Sequence, residues 1–329
     1  MSHELHHFSM GMWVFFLAYL TSVVGSYVGL SCVRQSFKDE RKNARMWWLA
    51  MASLAIGGVG IWLMHFIGMM GFAVPGSTIR YALAPTLFSI VLAVGATLFG
   101  LWVVDSRAGW KTRVPRGVPL AVGGLVMGLA VSFMHYSGMA AIRIRGTIDH
   151  DQAFVVASVV IGIVASTAAL WLAGVAERLV ARAAAALIMG CAVVALHYTG
   201  MAGVNATVDA SAPEPAGQTV LSLLFPAFVI GIAVLAAPIA ALLLAPNRED
   251  RLREAAVAQW TGENDDLVEA HAAPVLADPS HRVDGYGTDG HDEKARVKIF
   301  PTGLQQRTRA GDMTGRDRQP RDAGGALRQ

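Results

Sequence analysis

The sequence predicts an all-α, polytopic membrane protein with seven transmembrane helices, built from three helix-pair repeats plus one extra helix. Three observations predict it. Seven apolar runs are each long enough to cross a bilayer. More than half of the charge lies in the last quarter of the chain. A short stretch centred on histidine recurs three times, on alternate apolar runs.

The chain has 329 residues, 54% of them hydrophobic and only 16% charged, with a mean hydropathy of +0.45. Soluble domains of this size carry more charge. Residues 1–246 hold 14 Lys/Arg and 9 Asp/Glu, and residues 247–329 hold 13 and 15. The net charge of +3 therefore says little about partners, and no basic patch argues for nucleic acid. Cys32 and Cys191 fall in different apolar runs and suggest neither a disulfide framework nor a zinc site. No Lys or Arg precedes the first run, so a cleavable signal peptide is not expected.

A helix needs about 20 apolar residues to span a bilayer. The runs at 12–33, 46–72, 82–104, 118–142, 154–176, 183–204 and 220–244 meet this, and none contains Asp, Glu, Lys or Arg. Arg34, Lys38, Arg41, Lys42 and Arg45 lie between the first two runs, and Arg107, Lys111, Arg113 and Arg116 between the third and fourth. Arg178 and Arg182 separate the fifth and sixth, and Arg248, Arg251 and Arg253 follow the last. The alternate loops carry only Arg80, Arg143 and Arg145. Positive charge marks the cytoplasmic side, which predicts an outside N-terminus and a cytoplasmic C-terminus. The expected division is a membrane domain over 1–246 and a polar, largely disordered cytoplasmic tail over 247–329, with residues 248–260 extending the last helix for a few turns.

Met64-His65-Phe66-Ile67-Gly68-Met69, Met134-His135-Tyr136-Ser137-Gly138-Met139 and Leu196-His197-Tyr198-Thr199-Gly200-Met201 align without gaps. Gly58, Gly128 and Gly190 each lie seven residues before the histidine. The odd runs align more weakly around Ser22, Ser89 and Ser158. Each motif ends an outward-running helix, so all three are expected near the outer face.

On a helix, residues i and i+4 share a face. His65 with Met69, His135 with Met139 and His197 with Met201 each place an imidazole and a thioether about 6 Å apart along the axis. That pair suits copper, and thioether favours Cu(I). Met64 and Met134, and on the N-terminal stretch His6, His7 and Met10, are secondary candidates. The spacing glycines are expected to let the helices close up. The imidazole nitrogens should then approach within about 4–8 Å, against about 2.0–2.1 Å for a metal–imidazole bond.

Each feature has a plainer reading. A histidine at the membrane edge is often interfacial, and Phe66, Tyr136 and Tyr198 fit an aromatic belt. Methionine is a common apolar filler, and Cys191 reads as a small core residue. Arg143 and Arg145 fit lipid headgroups. Threefold repetition shifts the balance toward a joint site. The three motif histidines are the only ionisable groups deep in the runs, and such groups are functional by default.

The Met-His-Tyr-Ser and Leu-His-Tyr-Thr stretches, three copies on alternate helices, resemble the bacterial MHYT sensor domain family over roughly residues 6–245. Phe66 and Ile67 replace Tyr and Thr in the first motif, Ser137 replaces Thr in the second, and Leu196 replaces Met in the third. The resemblance implies a sensory domain of the bacterial inner (plasma) membrane. It would bind copper through the motif His and Met residues and sense a diatomic gas (O₂, CO or NO) or redox state. Many such proteins carry cyclase, phosphodiesterase or kinase outputs. Here only a polar tail follows, without a catalytic signature, so a non-enzymatic protein acting on a separate cytoplasmic signalling protein is expected. The alternatives are a metal or small-solute transporter or channel, disfavoured by the absence of carboxylates in the spans, and a haem-binding redox protein.

The charge pattern generates a topology test. Cysteines placed at positions 77 and 211 should react with an impermeant thiol reagent in intact cells, and those at 41 and 111 should not. The opposite pattern would invert the topology.

Overall fold

In the computed structural model, the described residues are 10–105, 115, 117–245, 253, 256–261 and 264. The chain divides into two compact units, Met1–Glu254 and Ala255–Gln329. In the second, residues 256–261 are helical and exposed.

Among the described residues, seven helices are long and apolar enough to cross a membrane: α1 (Trp13–Lys38), α2 (Lys42–Met69), α3 (Leu83–Val104), α4 (Gly117–Ala140), α5 (Gln152–Val175), α6 (Leu179–Ala202) and α7 (Val220–Leu244). The apolar runs therefore mark the helices to within a few residues. Several helices extend past their runs into flanking charge, because Arg34, Lys38, Lys42, Arg45 and Arg182 can reach polar surroundings at the ends. Val156, Val160 and Val164 form an exposed apolar stripe on α5, as do Leu221, Phe225 and Val229 on α7. Such stripes suit lipid rather than water, where exposed apolar patches of this extent are rare.

Neighbouring helices pack in sequence from α1 to α6, and α6 packs back on α1, which closes a six-helix ring. α7 stands outside it, against α1 and α2. The apolar stretch of α2 is 83% buried and that of α7 11%, so α2 is central and α7 peripheral. The three repeats are thus the ring, and the extra helix is an addition to its rim.

α2 is not a uniform α-helix. Lys42–Ser53 is α-helical, Leu54–Leu63 is π-helical, and Met64–Met69 is α-helical again. A π stretch accommodates an extra residue relative to an α-helix and is rare outside special sites. It corrects one expectation. A Cβ at Gly128 would strike the α5 backbone, meeting Ile163 N at 2.7 Å, and one at Gly190 would meet Val23 Cγ2 of α1 at 2.7 Å. The close approach of α2 to α3 falls instead at Gly57, where a Cβ would lie 2.6 Å from Ala93 O. Gly58, aligned with the other two by sequence, has only Val94 Cγ2 at 3.6 Å. The π stretch shifts the register by one residue.

Four short strands qualify the expectation of helices alone. β1 (Arg80–Tyr81) pairs antiparallel with β2 (Ile142–Arg143), and β3 (Gly146–His150) with β4 (Val204–Val208). Tyr81 and Gln218 exchange backbone hydrogen bonds at 2.8 and 2.9 Å. These ladders tie together the three loops at the motif end and satisfy backbone groups that would otherwise lie unpaired at the membrane edge. Arg145 belongs to this cap: its Nε donates to Ala212 O at 3.1 Å and its Nη1 lies 3.5 Å from Glu214. That departs from the lipid reading for Arg145, whereas Arg143 is exposed.

At the opposite end, Arg45 Nε pairs with Asp105 Oδ2 at 3.0 Å, with Asp105 only 4% exposed. Arg34 pairs with Glu177 at 3.3 Å, but Glu177 is 66% exposed. Breaking a buried pair costs about 3–5 kcal/mol, and an exposed one under about 1 kcal/mol. Asp105→Ala should therefore lower the thermal midpoint in detergent by several degrees, while Glu177→Ala should leave it nearly unchanged. Equal effects would refute this ranking.

Candidate metal centre

The motif histidines come one each from α2, α4 and α6, the even helices that run in the same direction. His65, His135 and His197 are each 1% exposed. Their rings meet edge to face around one axis, with centroids 4.9, 5.0 and 5.3 Å apart. His65 Nδ1 lies 3.1 Å from His197 Nδ1 and 3.2 Å from His135 Nδ1. One nitrogen from each of the three falls within 4.8 Å of the others, an arrangement able to hold a metal ion. The convergence is tighter than the spacing predicted.

Glycine makes it so. A Cβ on Gly68 would overlap Nε2 of His197, one on Gly138 would overlap Nε2 of His65, and one on Gly200 would overlap Nε2 of His135. Each ring therefore abuts the backbone of the next helix by its Nε2 edge, in a cyclic order that returns to its start. Gly128 and Gly190, seven residues upstream of their histidines, pack their helices on α5 and α1. The glycine three residues after each histidine is what seats the ring. Its presence in all three motifs was the available signal.

The nitrogens do not satisfy one another. A neutral imidazole nitrogen carries either one proton or one lone pair. His65 Nδ1 faces two other Nδ1 atoms, and one proton cannot complete both contacts. Turning the Nδ1 lone pairs inward leaves N–H groups at Nε2, and those of His65 and His135 are buried without a hydrogen-bond partner. Among the described residues the group that could hold a metal ion consists of these three imidazoles, with no carboxylate in it. Three nitrogens bound in a plane at about 2.0–2.1 Å from one ion would lie about 3.5 Å apart. Two of the three separations here are 3.1 and 3.2 Å, and all three lie within 4.8 Å.

Met69, Met139 and Met201 are 1%, 2% and 2% exposed, one turn beyond the histidines. Met64 and Met134 are each 1% exposed, and Leu196 4%. Met10 is 50% exposed and on the surface, while His6 and His7 lie outside the described residues. The aromatic-belt reading fails for Phe66, which is fully buried with its ring against Trp62 and Tyr81. Tyr136 donates to or accepts from Ser158 Oγ at 2.7 Å. Phe66 has no hydroxyl, and Trp62 Nε1 donates to Ser89 Oγ at 2.9 Å instead. Ser22, Ser89 and Ser158 are all fully buried, so the weak alignment of the odd helices marks equivalent places in the ring.

Periodicity did not reveal His150. It closes β3 with its ring edge-on to Tyr136, centroids 5.5 Å apart, and its Nε2 is buried without a partner. Partial burial lowers its pKa, opposed by neighbouring Asp149. It lies in a cap that only strand pairing brings over the motif.

Gly138→Ala should be costly although alanine favours helix by about 1 kcal/mol. Overpacking costs about 1–3 kcal/mol, and the methyl must displace the His65 ring. Gly95→Ala on α3, with nothing within 4 Å of the new methyl, should be neutral or stabilising. Thermal unfolding of both in detergent decides it, and similar midpoints would count against ring seating.

Comparison with known proteins agrees with this geometry. Over 189 residues the chain is 39% identical to the bifunctional diguanylate cyclase/cyclic di-GMP phosphodiesterase MucR of Pseudomonas aeruginosa, covering 56% of this chain and 26% of that protein. Over 249 residues it is 31% identical to the cyclic di-GMP phosphodiesterase NbdA of the same organism, covering 72% and 30%. Signaling protein YkoW of Bacillus subtilis is 28% identical over 204 residues, 60% of this chain and 24% of its own. The chain thus spans less than a third of the length of these relatives. No solved structure matches it. Residues 58–115, 128–186 and 190–258, more than half of the chain and one motif histidine in each, match the bacterial signalling protein N-terminal repeat. The chain belongs to the MHYT family.

Proposed function

We propose that the chain is a sensor of the bacterial inner membrane whose His65, His135 and His197 hold a copper ion near the outer face, where a diatomic gas or a change of redox state is detected. The observation that carries this is the meeting of three buried Nδ1 atoms at 3.1 and 3.2 Å, without a carboxylate. Zinc would also accept three imidazoles. Copper is favoured by the thioethers of Met69, Met139 and Met201, buried one turn along the same helices. When bound, copper supplies a soft Lewis-acidic, one-electron centre with a position left for a small ligand.

The residues of the chain do the rest. Gly68, Gly138 and Gly200 fix the rings. The paired loops exclude bulk water from above, and the closed ring excludes it from the sides. The neutral imidazole is the form that binds a metal. The outer placement follows from the loop charges, because the motif-end loops carry few Lys and Arg. A haem is poorly accommodated: the three rings touch one another and the facing glycines, which leaves no slot for a macrocycle. The enzymatic names of the relatives belong to proteins more than three times longer than the matched part. The link to this chain is that its membrane domain reports to cyclic-di-GMP or similar signalling proteins, within a longer polypeptide or as a separate partner.

The test is metal content. Protein purified after growth with copper should carry it stoichiometrically, and a His65→Ala, His135→Ala, His197→Ala triple variant should carry none. Met139→Leu should retain the metal but weaken Cu(I) about tenfold or more, about 1.4 kcal/mol. Zinc in place of copper, or copper unchanged in the triple variant, would overturn the assignment.

A further inference from the structure

A second site lies on the flank of the bundle. Between α2, α3 and α7 runs a cavity of about 320 Å³. That is the size of a small ligand site, typically about 300–1,000 Å³. It exists for two reasons. α7 packs on α1 and α2, outside the ring. The π register also turns Gly58 away from the packed contact, so a Cβ there would meet only Val94 at 3.6 Å. The walls are apolar along their length, with Leu54, Val59, Leu87 and Ile230 among them. Thr86, Gln218 and Ser222 are the polar lining residues. They cluster at the motif end, and no charged side chain lines the cavity.

That distribution specifies an occupant. The long apolar wall takes a hydrocarbon chain. The polar end is uncharged, so a phosphate or ammonium head would go unpaired at a cost. Gln218 is held by its two backbone hydrogen bonds with Tyr81. Its Oε1 lies 3.3 Å from Ser222 Oγ, whose one proton also faces Thr219 O at 3.0 Å, and its amide NH₂ is the donor it offers a ligand. A donor at the head end calls for an acceptor in the ligand.

We propose that this cavity binds an uncharged, chain-bearing amphiphile whose head offers a carbonyl acceptor, the chemistry shared by membrane quinones and neutral glycerides. The site is separate from the histidine triad and does not depend on what the triad holds. It is connected to it through one wall. Leu54, Gly58, Val59, Trp62 and Leu63 all belong to the π stretch of α2. Trp62 carries its ring against Phe66, centroids 4.9 Å apart, and Phe66 follows His65 directly. An occupant therefore bears on the part of α2 that sets where His65 sits.

The experiment uses the full chain in nanodiscs of synthetic phosphatidylcholine, free of quinone. A benzoquinone with a short isoprenoid tail is titrated while tryptophan fluorescence is followed, and Trp62→Phe isolates the Trp62 signal. Saturable quenching is expected. Gly58→Leu and Ala227→Phe, which fill the cavity from opposite walls, should each weaken it about tenfold or more, and Gln218→Ala several-fold. Each variant should keep its thermal midpoint within a few degrees, and with two filling variants the loss of one to misfolding leaves the other decisive. Monooleoylglycerol added in competition separates the sources: displacement identifies a neutral glyceride site and no displacement a quinone site. Quenching that rises linearly with total quinone, alike in wild type and variants, would overturn the proposal. So would a phospholipid retained in the cavity by native mass spectrometry and lost in Gly58→Leu. Because no arm needs metal, failure here leaves the copper reading standing, and a metal-free protein that still binds the quinone separates the two the other way.

Discussion

An imidazole can press its Nε2 edge against a neighbouring helix only where that helix has no Cβ. The positions of three glycines therefore govern the centre of this protein. Gly68, Gly138 and Gly200 each face the Nε2 edge of another motif's histidine. With the outer edge of each ring fixed against backbone, the Nδ1 edge has to point to the common axis. Ring orientation, distance between α2, α4 and α6, and depth of the cluster are thus one constraint. An alanine at any of the three positions changes them together.

The constraint explains the surrounding architecture. Three imidazoles in a buried core carry a desolvation cost, and the described group holds no carboxylate. The ring of six helices closes the sides. The strand ladders β1–β2 and β3–β4, with the Tyr81–Gln218 pair, draw the three motif-end loops over the top. The charged pairs Arg45–Asp105 and Arg34–Glu177 sit at the far end, where they fasten α2 to α3 and α1 to the end of α5 without placing charge near the rings.

Much of this was legible from the chain. Helix number and limits follow from apolar length, because the bilayer sets one scale for all spans. Convergence of His65, His135 and His197 follows from equal motif positions on helices of one direction. What stayed hidden depended on tertiary register. Gly58 aligns with Gly128 and Gly190 by counting, yet Gly57 makes the contact, because backbone hydrogen bonding in Leu54–Leu63 has no side-chain signature. His150 escaped notice because strand pairing brings it to Tyr136, and two- and five-residue strands at loop positions have little periodicity. Arg145 looked like a lipid contact because Ala212 and Glu214, its partners, are almost seventy positions away.

Three equivalent repeats would leave no direction for a change at the axis to take. The chain breaks that equivalence in α2, and in several ways at once. Its motif has Phe66 and Ile67 where the others have Tyr and a hydroxyl residue. Trp62 supplies the hydrogen bond to Ser89 that a tyrosine hydroxyl makes to Ser158 in the second repeat. Its Leu54–Leu63 stretch is π-helical, whereas α4 and α6 are α-helical throughout. α7 rests on this stretch, with Gly231 in contact range of Leu63. Below it lies the Arg45–Asp105 pair at the start of the same helix. His65 thus stands at one end of the π segment, with a charged anchor beyond the other. Of the three motif helices, only α2 places a π stretch between its histidine and its charged end.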